Sequence, residues 1–377
     1  MKTSNRKNLS SVLVALAIPA FAAPLLTSCD PFRPEETLSP TVTTASVAPL
    51  TVDPQPVARM LADLPLTLDD VREVHEGVNA SAGEGYDEEV MFRDLLSDPG
   101  SSIGRMVSDE AESSLATRAS GFISGLEESR LQIYWPYSEN WDGKTLPVIT
   151  FRPEVELAGN IGFAREELPD GTWIVKEMMV DEEYAVSHPV WVVNYNEDDG
   201  MMTPQKLAKL HPETATRASS GFRTLKLKEF KAHRQYDNWL AGGSEFFIKC
   251  GSLEAFTADV ISDLSRFSPE ITDLMIKVKR GQVGKALRYN AIIVSEWSSQ
   301  LTESVFMITE DDGGKVTTWK STGKVMIKSK AYGYEVEIPY HRNDDIVWRG
   351  KLSSNYFENY NGRSGRFGDV SVTFVFD

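Results

Sequence analysis

The sequence predicts a mixed α+β chain, mainly β: a small N-terminal α+β unit followed by a C-terminal antiparallel β-sandwich. Three observations lead there. The chain has 377 residues, more than one average domain needs. Its residues are 41% apolar and 10% aromatic, enough to build cores and to exclude wholesale disorder. The apolar pattern also changes along the chain, from helical spacing before about residue 100 to short strand-like runs after residue 131.

The first segment reads as an export signal. Lys2, Arg6 and Lys7 form a positive start, and an apolar run from Leu9 to Leu26 follows, interrupted by Pro19 and Pro24. A membrane span needs about 20 apolar residues, and this run is too short and too broken for one. It ends in Leu26-Thr27-Ser28-Cys29. That ending, after a basic start and an apolar core, resembles the lipobox of bacterial lipoproteins. The resemblance implies cleavage after residue 28 and a diacylglycerol thioether, with a further acyl chain such as palmitate, on Cys29. Each buried methylene holds a chain to lipid by about 0.8 kcal/mol, so more than one acyl chain gives lasting attachment. Loss of residues 1–28 also takes the formal charge from −16 to −19, since Lys2, Arg6 and Lys7 leave with them.

Residues 29–56 read as a Pro-rich tether, with Pro31, Pro34, Pro40, Pro49, Pro54 and Pro56 and no apolar period. Residues 57–205 read as the α+β unit. Val57, Met60, Leu61 and Leu64 have helical spacing. A second helix is expected from Thr67, with Asp70 closing a capping-box variant and Leu68, Val71, Val74 and Val78 as its stripe, up to Gly83 and Gly85. A third is expected over 87–96, stopped by Asp98-Pro99-Gly100. Strands are expected at 131–135, 146–151, 172–176 and 189–195, with turns at 140–143 and 196–200.

Residues 206–222 read as a polar linker. Beyond it, over 223–377, strands are expected at 223–231, 244–249, 274–279, 286–296, 303–309, 324–328, 334–339 and 370–376, and a helix is possible over 253–266. Thr117-Arg118-Ala119-Ser120-Gly121-Phe122 nearly repeats as Thr216-Arg217-Ala218-Ser219-Ser220-Gly221-Phe222. Two polar linkers of similar composition explain this. The competing reading makes Arg118 and Arg217 processing sites, as in lipoprotein-derived pilin precursors.

No catalytic or cofactor-binding residue stands out. Gly100-Ser101-Ser102-Ile103-Gly104 matches a nucleophile-elbow string, but a strand does not lead into it, so Ser102 is expected in a loop. Cys250, inside an apolar run, reads as a buried structural thiol. His75, His188, His211, His233 and His341 lack metal-binding spacing. Trp141 and Trp239 are the tryptophans expected to be exposed, and the others to fill cores. The acidic loops remain. Asp237, Asp311, Asp312, Asp344 and Asp345 follow strand ends, and converging oxygens of this kind suit calcium. The acidic balance argues against nucleic acid.

The expected role is that of a lipid-anchored cell-envelope protein, in the outer rather than the inner membrane, binding or structural more than enzymatic. Its partners would be the membrane, through the anchor, and an extracellular protein or glycan. The alternatives are a surface hydrolase acting on glycan or peptide and a pilus or adhesin subunit.

Overall fold

The structure, a computed structural model, describes residues 52–115, 118–210 and 221–377. Cys29, the signal, Arg217, His211 and the tether up to residue 51 lie outside them. The described chain is mixed α+β, with a strand-rich C-terminal part.

Helix α1 (Pro54–Asp63) starts earlier than expected, inside the stretch read as tether. Asp53 accepts the Gln55 N–H at 3.0 Å, and Pro54 occupies a first-turn position that needs no N–H. Helix α2 (Leu68–Gly83) has the predicted cap. The Thr67 N–H donates to Asp70 Oδ2 at 2.7 Å, and the Asp70 N–H returns to Thr67 Oγ1 at 3.4 Å. Val71, Val74 and Val78 are fully buried.

The helix expected over 87–96 is divided. Strand β1 (Glu89–Met91) comes first and α3 (Phe92–Ser97) second. A strand partner overrides local helix propensity here: β1 pairs antiparallel with β2 (Leu131–Tyr134). Between them lie α4 (Ser102–Leu115) and α5 (Ala119–Glu128), which the sequence reading missed. Ile103, Val107 and Ala111 form the buried stripe of α4 at i, i+4 and i+8. The first copy of the near-repeat therefore starts a helix, and Arg118 is its exposed N-cap, so that stretch is no polar linker.

Strands β3 (Val148–Phe151), β4 (Gly159–Glu167) and β5 (Trp173–Asp181) follow, then helix α6 (Glu182–Ser187) and strand β6 (Val190–Tyr195). The sheet order is β1-β2-β6-β3-β4-β5, and only β3 and β6 run parallel. Alternation along β6 sends Trp191 and Val193 into the core under α1–α5, and Val190 and Val192 to the opposite face. Trp239 and Leu240, from beyond residue 223, cover that opposite face. Helix α7 (Pro204–Leu210) occupies part of the segment expected as linker, with Thr203 Oγ1 accepting the Lys206 N–H at 3.0 Å.

The C-terminal strands are β7 (Arg223–Ala232), β8 (Ser244–Ser252), β9 (Glu270–Val278), β10 (Leu287–Trp297), β11 (Leu301–Glu310), β12 (Val316–Ile327) and β13 (Lys330–His341). They continue with β14 (Asp345–Ser353), helix α8 (Ser354–Asn359), β15 (Ser364–Phe367) and β16 (Val370–Phe376). One sheet has the order β10-β7-β16-β15. The other runs β13-β12-β11-β8-β9, with β14 also pairing β11. All pairings in both are antiparallel. A single apolar cluster joins them: Leu225, Leu227 and Phe230 from β7 and Phe374 and Phe376 from β16 meet Phe246, Ile248 and Phe306. Strands β14 and β15 escaped the sequence reading because Arg349, Lys351 and Gly365 interrupt their apolar alternation. The expected helix over 253–266 is only a 3-10 turn at Ile261–Arg266. Leu253, Phe256 and Ala258 instead thread into the core as irregular chain around a turn at Glu254–Ala255.

Among the described residues no helix is long and apolar enough to cross a membrane.

Candidate functional site

The turn after β6, the start of β8, the end of β11 and the β13–β14 turn meet around a cleft of about 530 Å³. Its polar lining is mainly carboxylate: Glu197, Asp198, Glu245, Asp311 and Asp312. Tyr195, Met201 and Phe247 supply apolar surface, and Arg130 and His341 supply the basic groups.

At the rim, Asp311, His341 and Asp344 bring ligand atoms within 4.8 Å of one another. His341 Nδ1 lies 2.8 Å from Asp311 Oδ1 and 3.8 Å from Asp344 Oδ1. Backbone amides fix both acids: the Gly313 N–H donates to Asp311 Oδ1 at 2.9 Å, and the His341 N–H to Asp344 Oδ2 at 2.9 Å. Burial opposes the Asp311 charge, but the Gly313 N–H, His341 and Asp344 together hold its pKa below the usual carboxylate range. Burial, then the neighbouring Asp311 carboxylate, pushes Asp344 up to about 6.

Deeper lies a second acidic group, Asp237, Glu245 and Glu310, again with oxygens within 4.8 Å. Burial, followed by the adjacent Asp237, pushes Glu310 up to about 10; the Ser244 hydroxyl acts the other way as a smaller influence. Burial likewise raises Asp237. The two carboxyl groups therefore hold a proton between them at neutral pH. Lys277 is the cation of this interior. Its ammonium contacts Glu245 and lies 3.5 Å from Asp198 and 3.6 Å from Asp87. Burial disfavours its charge, but Asp198, Asp87, Glu89 and Asp237 outweigh burial and raise its pKa.

The five predicted acids are thus at one end of the β8–β11 sheet, but not in one shell. Asp311 and Asp344 meet around His341, and Asp237 joins Glu245 and Glu310. Asp312 and Asp345 stay exposed. Burial, then the charges of Asp237, Asp345 and Asp311, lifts Asp312 to about 6. Sequence reading missed His341, Glu245 and Lys277, while Glu310 opens the acidic run Glu310-Asp311-Asp312 that it did single out. For the first, the signal was a histidine three residues before an aspartate at a strand end. For Glu245 and Lys277 it was a pair of opposite charges inside two apolar strands, which the register sets face to face.

No family model, curated protein or solved structure matches the chain.

Other singled-out residues have structural settings. Ser102 is the first residue of α4 rather than part of a loop. Its hydroxyl donates to Asp70 and, at 2.6 Å, to Glu73. Trp239 is 3% exposed, not exposed as expected, and its Nε1–H donates to Ala158 O at 3.0 Å. Trp141 is half-buried against His75 and Trp135. Cys250 is fully buried, and burial pushes its thiol pKa well up, the setting of an inert side chain.

Proposed function

We propose that this chain is a cell-envelope protein held to the outer membrane by lipid on Cys29, with a binding rather than a catalytic role. Its two C-terminal sheets act as a β-sandwich that carries the cleft. The ligand is rich in hydrogen-bond donors, and a hydroxylated glycan segment suits it best. The observation that supports this is the cleft lining. Carboxylates only accept hydrogen bonds, so the exposed Glu197 and Asp312 of this acidic lining call for a donor-rich partner, while Tyr195 and Phe247 offer ring surface to an apolar face. The volume, about 530 Å³, accommodates a small ligand or a few sugar units of a longer one.

Titration calorimetry with neutral and amino-bearing oligosaccharides tests the reading. Binding is expected, weakened at least about tenfold by Asp312→Asn, an exposed change that leaves the fold intact. No binding by any glycan, with clear binding of a basic peptide, would reassign the partner to protein. The anchor is tested separately: Cys29→Ser should move the protein from the membrane to the soluble fraction.

A further inference from the structure

We propose that Asp311, His341 and Asp344 form a site for a divalent transition-metal ion of the zinc class at the rim of the cleft. The donor set is one imidazole nitrogen and two carboxylates, which favours zinc-class ions over calcium, whose sites are built from oxygen alone. Three protein donors with a further position left for solvent or ligand is the usual plan of an open zinc site. Metal–ligand bonds of about 2.0–2.2 Å place tetrahedral ligand atoms roughly 3.3 Å apart. The observed separations from His341 Nδ1, 2.8 and 3.8 Å, bracket that value, so small side-chain rotations would seat an ion.

A second observation points the same way. An imidazole alone does not satisfy the group. Nδ1 can direct one N–H, and Asp311 is its nearer acceptor. Asp344 Oδ1, on a side chain only 3% exposed, meets no hydrogen-bond donor. Its other oxygen is fixed by the His341 N–H, so the unpartnered oxygen stays among the donor atoms of the group. A cation shared by all three groups would remove that unmet demand. Asp311 and His341 both line the cleft, so an ion between them is reachable from it.

The test is titration calorimetry of the chelator-treated full chain with zinc alone, then calcium alone. One zinc ion is expected to bind, more tightly than calcium. His341→Ala and Asp344→Asn should each weaken zinc at least about tenfold. Asp344→Asn keeps an acceptor for the His341 N–H, so it carries the test should His341→Ala fail to fold. Absence of zinc binding, equal affinity in wild type and variants, or tighter binding of calcium would each overturn the proposal. The titration uses no glycan, so its failure leaves the proposed ligand untouched, and loss of glycan binding leaves the metal site standing.

Discussion

Lys277 shows how much can rest on one side chain. It sits in β9 opposite Glu245 in register, 7% exposed, among Asp87, Asp198 and Glu245. Asp87 is held there by the Gly243 N–H at 2.6 Å, so it joins the N-terminal sheet region to the β8 strand through charge as well as packing. Removing one partner from a buried ion network leaves the others uncompensated, which costs about 3–5 kcal/mol. Lys277→Met should therefore lower unfolding free energy by that amount in urea at pH 7, with far less loss from a surface change such as Lys320→Met. The sequence showed this residue only as a charge inside an apolar strand, without its partner. Lysine and glutamate within apolar strands look like ordinary surface positions until the pairing sets them opposite each other. The carboxylates at strand ends were legible because Asp and Gly runs announce turns whatever the tertiary fold, but their division between His341 and Glu310 depends on which strand ends meet.

At the scale of elements, the Gly100–Gly104 string turns out to encode packing. A Cβ on Gly104 would lie 2.1 Å from the Leu95 carbonyl oxygen, so α4 can approach α3 only with hydrogen at that position. Alanine normally favours a helix over glycine by about 1 kcal/mol. Here overpacking should win, and Gly104→Ala is expected to destabilise by about 1–3 kcal/mol in chemical denaturation. The α2 cap and stripe were legible because both are local: a side chain and amides within four residues, and a repeat of one helical turn. The missed α4 and α5 are rich in Ser and Gly, and the stripe that buries them draws its meaning from the distant β2, β3 and β6. Strand β1 was missed for the same reason: its identity comes from β2, some forty residues on.

For the whole molecule, buried acids set a pH dependence. Burial, opposed by Lys279 and helped by Glu139 and Asp87, raises Glu88 to about 8, and burial with Asp198 raises Glu89 well above its ordinary value. In the unfolded chain both ionise near 4.5. The folded state therefore binds more protons between those values, and stability falls as pH rises through that window, by up to about 1.4 kcal/mol per pH unit for each such group. Asp199, held low by Arg93, acts oppositely, its stabilisation being lost as pH falls through its folded pKa. The melting temperature should thus be higher at pH 5.5 than at pH 8, and Glu88→Gln should flatten the slope. A melting temperature that climbs across this interval would contradict the assignment. The broad α+β plan was readable because composition and periodicity are summed over many residues. The order of strands was not, since β7 finds its neighbours in β10 and in β16, more than a hundred residues away. That last pairing governs biosynthesis. A ribosome must deliver Val370–Phe376 before one side of Arg223–Ala232 gains its strand, so a nascent chain that has passed residue 297 still carries an open β edge there for some seventy residues more.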